Sequence, residues 1–271
     1  MILHMKRSCS KKAELLAKIY DHSTSAYKYG YQLLTMMWSD GNTSIPLDSR
    51  LISTENAKNR INEAKSFDKR SNAHKIRKEA QSKANSVVLE ILKRVKKYSI
   101  GTNYVLFDTW FCFPTSLINI KKLGFNVIGM IKKTPKQHFV YNHKAMPLTE
   151  IYRINRKRRG NSKYLLSVIV QVCSGNNYIP AKVVYVRDRN NRKKYLCLIS
   201  TDITLSEEEI IQTYGKRWDI EVFFKICKSQ LKLTSECRAI SYDAMTAHVA
   251  IVFSRYMILR MSKDAVQTSA R

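Results

Sequence analysis

The 271-residue sequence contains 48 Lys and Arg against 21 Asp and Glu, a formal net charge of +27, and 44% hydrophobic residues, which suffice for a folded core. Such a charge excess predicts a polyanionic partner, either nucleic acid or an anionic membrane surface. The cations are spread along the chain rather than along one amphipathic helix, which favours nucleic acid. No apolar run reaches the ~20 residues that a bilayer requires, and residues 1–12 lack the apolar segment of a signal peptide. We therefore expect a cytoplasmic protein without membrane association.

The cysteines do not indicate a metal site. They stand at positions 9, 112, 173, 197, 227 and 237, with no Cys-x-x-Cys pair and no accompanying histidine cluster. This spacing argues against zinc and is typical of reduced thiols in a cytosolic protein.

A β-hairpin followed by helices is predicted for the first hundred residues. Residues 29–38 and 44–51 are extended stretches, and the Asp-Gly and Asn between them favour a tight turn. Residues 55–98 contain no Pro or Gly, which suits helix. In residues 73–98 the apolar side chains recur at helical spacing, which predicts a stripe packed on a sheet.

A β-α-β unit is predicted next. The apolar strand 104–107 ends in Asp108, a helix follows through Leu117, Ile120 and Leu123, and residues 126–131 form another strand. This order indicates a mixed α/β sheet.

The composition then changes to a basic, β-rich segment over residues 132–203. Residues 132–163 contain ten basic residues and the single acid Glu150, and strand-like runs follow at 164–173, 181–186 and 194–200. Ser206 with Glu209 forms a capping-box pattern that begins a helix predicted to reach about residue 231. A further helix is predicted over 242–262, with a disordered tail at 263–271.

The most informative pattern lies in the helix after Ser206. Tyr214, Arg217, Glu221 and Lys228 are separated by 3, 4 and 7 residues, so they share one face of a regular helix. A carboxylate between cations stays ionised and can bind a metal, while the cations can bind phosphate oxygens. The spacing alone also fits a surface stripe of salt bridges.

This pattern resembles the Tyr-x2-Arg-x3-Glu-x6-Lys motif of a group of bacterial insertion-sequence DDE transposases. The surrounding residues 205–225 resemble the same family, as do Val-Leu-Phe-Asp-Thr-Trp-Phe at 105–111 and Trp-Ser-Asp-Gly-Asn-Thr-Ser-Ile-Pro-Leu at 38–47. The resemblance extends from about residue 7 to residue 260.

The resemblance implies a ribonuclease H-like mixed sheet with flanking helices and a β-rich insertion before the glutamate-bearing helix. The expected domains are the first part of the catalytic core (1–131), the insertion (132–203) and the last part of the core (204–262). It also implies a site for two Mg²⁺ or Mn²⁺ ions with Asp108 and Glu221 as catalytic and metal-binding residues. The implied DNA-binding residues are Tyr214, Arg217, Lys225, Lys228, Arg156, Lys157, Arg158 and Arg159.

The implied partners are the double-stranded DNA of insertion-sequence ends and targets, near the bacterial nucleoid, and a homodimer is an open alternative. The family's first aspartate would fall at about Met1 or Ile2, or before them. No acid precedes Glu14, and neither Asp21 in a predicted loop nor Asp40 in the hairpin turn is expected to replace it. We therefore expect a copy truncated at both ends and impaired in strand cleavage and transfer. The alternatives are a catalytically inactive DNA-binding remnant and an unrelated RNA-binding protein.

Structural roles compete with these assignments at several residues. Asp108 could cap a strand-end turn, Tyr214 could pack in the core, and the basic run 153–159 could be an ordinary charged surface segment. The three tryptophans could stack on a flipped base, although core packing is the expectation for each: Trp38, Trp110 and Trp218. The six histidines show no ligand spacing.

Overall fold

The structure is a computed structural model that describes residues 12–21, 24–98, 100–158, 160, 162–188, 191, 193–237 and 239–269. The chain divides into two compact units. The first contains the described parts of Met1–Tyr98 and Trp218–Arg271, and the second contains those of Ser99–Arg217. No described helix is long and apolar enough to cross a membrane.

Two antiparallel hairpins form the β-structure of the first unit. Their strands are β1 (Ala17–Asp21), β2 (Ala26–Gly30), β3 (Gln32–Ser39) and β4 (Ser44–Ile52). The β3–β4 hairpin confirms the one predicted from the sequence. Its turn is closed by Asp40, whose Oδ1 accepts hydrogen bonds from the backbone N–H groups of Asn42 and Thr43, each at 2.7 Å.

The β1–β2 hairpin was not predicted. Residues Tyr20 to His22 looked like a loop in the sequence, yet Asp21 is the last residue of β1 and is 4% exposed. Its carboxylate Oδ2 accepts hydrogen bonds from Lys28 Nζ at 2.6 Å and from Thr24 Oγ1 at 3.0 Å. These bonds hold the strand ends together around the turn.

The helices of the first unit are shorter than predicted. After a 3-10 turn at Ala57–Asn59 come α1 (Asn72–Ala80) and α2 (Ala84–Lys97). The predicted apolar stripe is confirmed, because its five members are buried in α2: Val87, Val88, Ile91, Leu92 and Val95. The helix breaks after Ala80, where the side chains of Gln81 and Ser82 donate to helix carbonyls.

The second unit contains a seven-stranded mixed sheet with the strand order β5-β6-β11-β10-β9-β7-β8. The strands are β5 (Tyr104–Phe107), β6 (Asn126–Ile131), β7 (His138–Tyr141), β8 (Lys144–Pro147), β9 (Leu166–Ser174), β10 (Asn177–Arg187) and β11 (Tyr195–Ser200). Strands β5 and β6 are parallel, and the other pairs are antiparallel. The accompanying helices are α3 (Pro114–Lys122), α4 (Leu148–Ile154) and α5 (Glu207–Gly215).

This architecture confirms the predicted mixed α/β class and is consistent with a ribonuclease H-like fold. Helix α3 connects β5 to the parallel strand β6, as the sequence order predicted. The predicted β-rich segment does not form a separate sheet, because β11 pairs with β6. The domain boundaries at residues 131 and 203 remain a prediction.

The core of the first unit is completed by α6 (Asp219–Ser229) and α7 (Tyr242–Ser269). The rings of Phe223, Phe253 and Tyr256 pack edge to face, with centroids 4.7 to 4.9 Å apart in the two pairs that include Phe223. Helix α7 extends beyond the predicted end at residue 262 and includes most of the predicted tail, because no Pro or Gly interrupts residues 242–269.

A buried ion pair connects three parts of the first unit. The Arg77 guanidinium in α1 donates to both carboxylate oxygens of Glu14, at 2.6 and 3.1 Å, and to both of Asp243 in α7, at 2.7 and 3.0 Å. The Glu14 carboxylate also accepts from the backbone N–H groups of Tyr242 and Lys65. Arg77 and Glu14 are both buried, so this network links the segment before β1 to α1 and α7.

Candidate functional site

Asp108, the carboxylate predicted at the end of a strand, lies directly after β5. The side chain is half-buried, and its Oδ1 accepts a hydrogen bond from the backbone N–H of Trp110 at 3.0 Å. This is the turn-capping geometry that the sequence left open as a structural role. A carboxylate has several acceptor positions on its two oxygens, so the cap is compatible with a metal-binding role for the same side chain.

The segment after Asp108 is packed tightly against β6. Cys112 is buried, and a Cβ atom added at Gly129 would lie 2.6 Å from the Cys112 Sγ. Burial, and to a smaller extent the charge of Asp108, raises the pKa of the Cys112 thiol. The thiol therefore stays protonated and acts as a packing group, and Gly129 permits the close approach that fixes the Asp108 loop.

Tyr214 lies close enough to both Asp108 and Arg217, within the second unit, for their charges to act on its hydroxyl. Desolvation raises the pKa of Tyr214, Asp108 adds to that effect, and Arg217 opposes it. The Arg217 guanidinium carbon is 5.6 Å from the centre of the Tyr214 ring. The Tyr214 ring also packs against the buried cluster that includes Ile128 and Ile210. The core packing that the sequence left open for Tyr214 is therefore observed, and the Tyr214 ring also contacts the Arg217 guanidinium.

The predicted single helix over residues 206–231 is wrong. Helix α5 ends at Gly215, a 3-10 turn covers Lys216–Trp218, and α6 begins at Asp219. Glycine has a low helix propensity, and a 3-10 turn advances with about 3.0 residues per turn instead of 3.6. The even angular spacing assumed for the four motif residues therefore does not hold across this turn. Only the capping box of Ser206 and Glu209 is confirmed as predicted.

The motif residues are divided between the two compact units. Tyr214 and Arg217 belong with Asp108 to the second unit, whereas Glu221 and Lys228 lie in α6 of the first unit. Glu221 is half-buried in the first turn of α6, on a helix anchored by the buried Phe223.

Two cations follow Glu221 on α6. Lys225 and Lys228 are both exposed as whole residues. Partial desolvation of its ammonium group nevertheless lowers the pKa of Lys228, while the charge of Asp21 acts in the opposite direction. The first unit therefore brings Asp21 near Lys228, a proximity that the sequence did not reveal because Asp21 was assigned to a loop.

Asp219 is a second acid near Glu221 that the sequence did not single out. Its Oδ2 accepts a hydrogen bond from Ser39 Oγ at 2.5 Å. Ser39 ends β3, so this bond attaches the start of α6 to the β3–β4 hairpin. The sequence feature that could have identified Asp219 is its place in the first turn of α6, where a negative charge interacts favourably with the helix dipole.

The basic segment after α4 is held by specific contacts. The Arg158 backbone N–H donates to the Leu165 carbonyl at 2.7 Å, and its guanidinium carbon lies 4.3 Å from the Tyr164 ring centre. Lys157 Nζ donates to the Arg153 carbonyl at 3.2 Å. Arg156 is exposed, and Arg159 lies outside the described residues.

Two tryptophans contradict the expected core packing. Trp110, next to Asp108, is 55% exposed, and Trp218, at the start of α6, is 60% exposed. Trp38 is half-buried in β3. Local apolar sequence suggested burial, but Trp110 lies in the turn after β5 and Trp218 is the last residue of the 3-10 turn before α6.

The described carboxylates do not by themselves form a metal-binding cluster. Among the described residues there is no group of three or more His, Cys, Asp and Glu side chains that could hold a metal ion. Asp108 and Glu221 therefore qualify as single carboxylate ligands, and a complete ligand set would need a further donor.

Comparison with known proteins gives two matches. The family model of the DDE superfamily endonucleases matches residues 5–191, which include Asp108 but not Glu221. A curated relative from Synechocystis sp. (strain ATCC 27184 / PCC 6803 / Kazusa) is named "Putative transposase for insertion sequence element IS4SA". It is 26% identical over 152 residues, which are 55% of this chain and 42% of the relative.

The chain thus spans less than half the length of that relative. The family model, by contrast, covers well over half of this chain and includes β5, the Asp108 loop and β6. The chain belongs to the DDE superfamily endonucleases.

Proposed function

We propose that the chain functions in DNA transposition, by binding the duplex DNA of insertion-sequence ends and contributing to metal-dependent strand cleavage and transfer. The observation that carries this proposal is Asp108, which follows a sheet strand inside the range matched by the DDE family model. The name of the Synechocystis relative supports the same process.

Duplex DNA is the proposed partner because of the charge. The net charge of +27 favours binding to a phosphate backbone, since each neutralised phosphate releases counterions. The residues proposed to bind phosphates are seven cations: Arg156, Lys157, Arg158, Arg159, Arg217, Lys225 and Lys228. Arg158 and Lys157 are held by aromatic and backbone contacts, so less side-chain freedom is lost when they bind DNA.

Asp108 and Glu221 are the proposed acidic residues of the reaction, with Mg²⁺ or Mn²⁺ as the expected cation. When bound, a divalent cation would activate the attacking oxygen and neutralise charge on the leaving oxygen. The hydrogen bond from the Trp110 N–H to Oδ1 restrains the Asp108 carboxylate, which supports this assignment. Glu221 is oriented by the anchoring of α6 through Phe223 and the Asp219–Ser39 bond.

A second candidate function is DNA binding without cleavage. It is favoured by the finding that no group of three or more His, Cys, Asp and Glu side chains among the described residues could hold a metal ion. Without a complete set of ligands, the chain would bind metal weakly and cleave DNA slowly or not at all. Both candidate functions predict that the chain binds DNA, and only the first predicts that it cleaves DNA.

A cleavage assay with supercoiled plasmid and labelled duplex, with and without Mg²⁺ or Mn²⁺, separates the two candidates. If the chain cuts, Asp108→Asn and Glu221→Gln are each expected to reduce the rate by at least ~100-fold, whereas the matched control Glu208→Gln retains it. Glu208 is a suitable control because it is an exposed acid in the first turn of α5. Cleavage that survives both active-site variants would refute the assigned residues.

DNA binding is tested separately by titrating a labelled duplex at several salt concentrations. We expect the affinity to fall steeply with salt, and neutralising one phosphate-binding cation should reduce the slope by about 0.9. A preference for single-stranded RNA over duplex DNA would instead support an RNA-binding protein. Sedimentation of the same samples reports whether the DNA-bound form is a homodimer.

A further inference from the structure

The β1–β2 hairpin has one buried face and one aromatic face. On β1, Ala17, Ile19 and Asp21 are buried, whereas Lys18 and Tyr20 alternate with them and point to the exposed side. On β2, Tyr27 and Tyr29 are 61% and 56% exposed. Since side chains alternate along a strand, the exposed tyrosines of both strands lie on one face with Lys18.

The strand register brings these side chains into direct contact. Tyr20 is paired with Tyr27, and Lys18 is paired with Tyr29. The Tyr20 and Tyr27 rings meet edge to face at 5.2 Å and 71°, and Lys18 Nζ lies 5.2 Å from the Tyr27 ring centre. Tyr20 thus supports Tyr27 from the side, while Tyr27 and Tyr29 expose most of their ring surface.

The face combines the two elements that unpaired nucleotides require. Aromatic rings provide stacking surfaces for any base, and a nearby ammonium group neutralises a phosphate. Neighbouring positions on one strand face are about 6.6–6.8 Å apart, so Tyr27 and Tyr29 can each accept one base of an extended strand. The net charge of +27 makes a polyanion the matching occupant, whereas a second copy of the chain would carry the same charge.

We propose that the hairpin face formed by Lys18, Tyr20, Tyr27 and Tyr29 binds single-stranded nucleic acid by base stacking. Tyr27 and Tyr29 each stack on one unpaired base, Tyr20 holds the Tyr27 ring in place, and Lys18 neutralises the phosphate between the two nucleotides. This function goes beyond duplex binding and strand cleavage, because it needs neither a metal nor the acidic residues.

The test is a fluorescence-anisotropy titration in EDTA with a labelled oligo-dT of about 12 nucleotides. An abasic oligomer with the same number of phosphates is measured in parallel, and a duplex serves as a third ligand. Tyr27→Ala and Tyr29→Ala are each expected to weaken oligo-dT binding about 5- to 150-fold, with little effect on the abasic oligomer or the duplex. Tyr27→Phe should retain binding, because phenylalanine keeps the stacking ring.

Two further variants separate stacking from charge. Tyr178→Ala removes a comparably exposed tyrosine from β10 and should leave oligo-dT binding unchanged. Lys18→Gln should reduce the salt slope by about 0.7, whereas the tyrosine variants should not change it. An oligo-rU ligand distinguishes RNA from DNA as the source of the unpaired bases.

Equal losses with the abasic oligomer would overturn the proposal, as would equal losses for Tyr178→Ala and Tyr27→Ala. It would also be overturned if Tyr27→Ala changed the sedimentation of the free protein but not its binding to oligo-dT, since the face would then be a contact between copies. Thermal unfolding of each variant verifies that the hairpin substitutions leave the fold intact. If the unsubstituted chain does not bind duplex DNA, the proposed function is refuted. The oligo-dT titration still tests the stacking proposal in that case, because it does not require duplex binding.

Discussion

Arg77→Met is predicted to destabilise the first unit severely. Arg77 donates two hydrogen bonds to Glu14, two to Asp243 and one to the Ala73 carbonyl, and only 2% of its surface is exposed. Removing one partner of a buried ion pair leaves the other charge uncompensated and costs about 3–5 kcal/mol. For a unit of this size, that cost corresponds to a decrease in Tm of roughly 6–20 °C.

The effect should depend on pH in a defined direction. Desolvation acts to raise the pKa of Glu14, but the hydrogen bonds from Arg77, Tyr242 and Lys65 outweigh it and hold the pKa below the ordinary 4.5. A carboxylate with a lowered folded-state pKa stabilises the fold above its unfolded-state pKa, and this stability is lost as the pH falls through the folded-state value. In Arg77→Met the buried Glu14 carboxylate loses its cationic partner, and protonation of Glu14 removes the energetic cost of its uncompensated charge. The difference between wild type and variant should therefore shrink as the pH falls below about 5.

Urea unfolding at pH 7 and at acidic pH measures both effects. Tryptophan fluorescence and far-UV circular dichroism are recorded together, because the two compact units can unfold separately. Lys93→Met is the matched control: it breaks an exposed ion pair with Glu90 and should cost less than about 1 kcal/mol. A loss for Arg77→Met no larger than that of Lys93→Met would refute the role assigned to this network.

Three other substitutions test local features. Gly129→Ala should destabilise the second unit by about 1–3 kcal/mol because the added methyl meets the Cys112 sulfur, and the double variant Gly129→Ala/Cys112→Ala should recover part of the loss in thermal unfolding. Ser206→Ala removes the N-cap of α5 and should cost about 1 kcal/mol in the same assay, whereas Ser206→Asp should not. Trp110→Ala should weaken duplex binding without changing Tm, since the ring is mostly exposed; an unchanged affinity would exclude Trp110 from the DNA surface.

Local patterns predicted the elements whose formation depends on neighbouring residues. The β3–β4 turn follows from Asp40 and its bonds to the next residues, and the α5 start follows from the reciprocal bonds of Ser206 and Glu209. The α2 stripe follows from helical periodicity, because a helix that packs on one side must carry its apolar residues there. The position of Asp108 was also predictable from neighbouring residues, since a short apolar run predicts a strand and Asp108 follows it directly.

Features that depend on distant residues were not predictable from such patterns. Arg77 and Glu14 are 63 residues apart, and their mutual burial reverses the usual preference of both side chains for solvent. The 3-10 turn after Gly215 was missed because the motif spacing fitted one continuous helix. The exposure of Trp110 was missed because an apolar sequence context does not distinguish a loop tip from a core.

The pairing of β6 with β11 has a consequence for how the basic β-rich segment can be handled. Residues Ile128 to Ile131 of β6 bond to Cys197 to Ser200 of β11, which lies on the far side of the segment in sequence. A shortened chain in which residue 131 is joined directly to residue 204 would leave that row of backbone donors and acceptors exposed on a strand with buried apolar side chains. Such an open edge invites strand pairing between molecules, so the shortened chain is expected to aggregate. The segment is therefore unsuitable for removal on its own, and the better choice for a separately expressed piece is the whole second unit, residues 99–217.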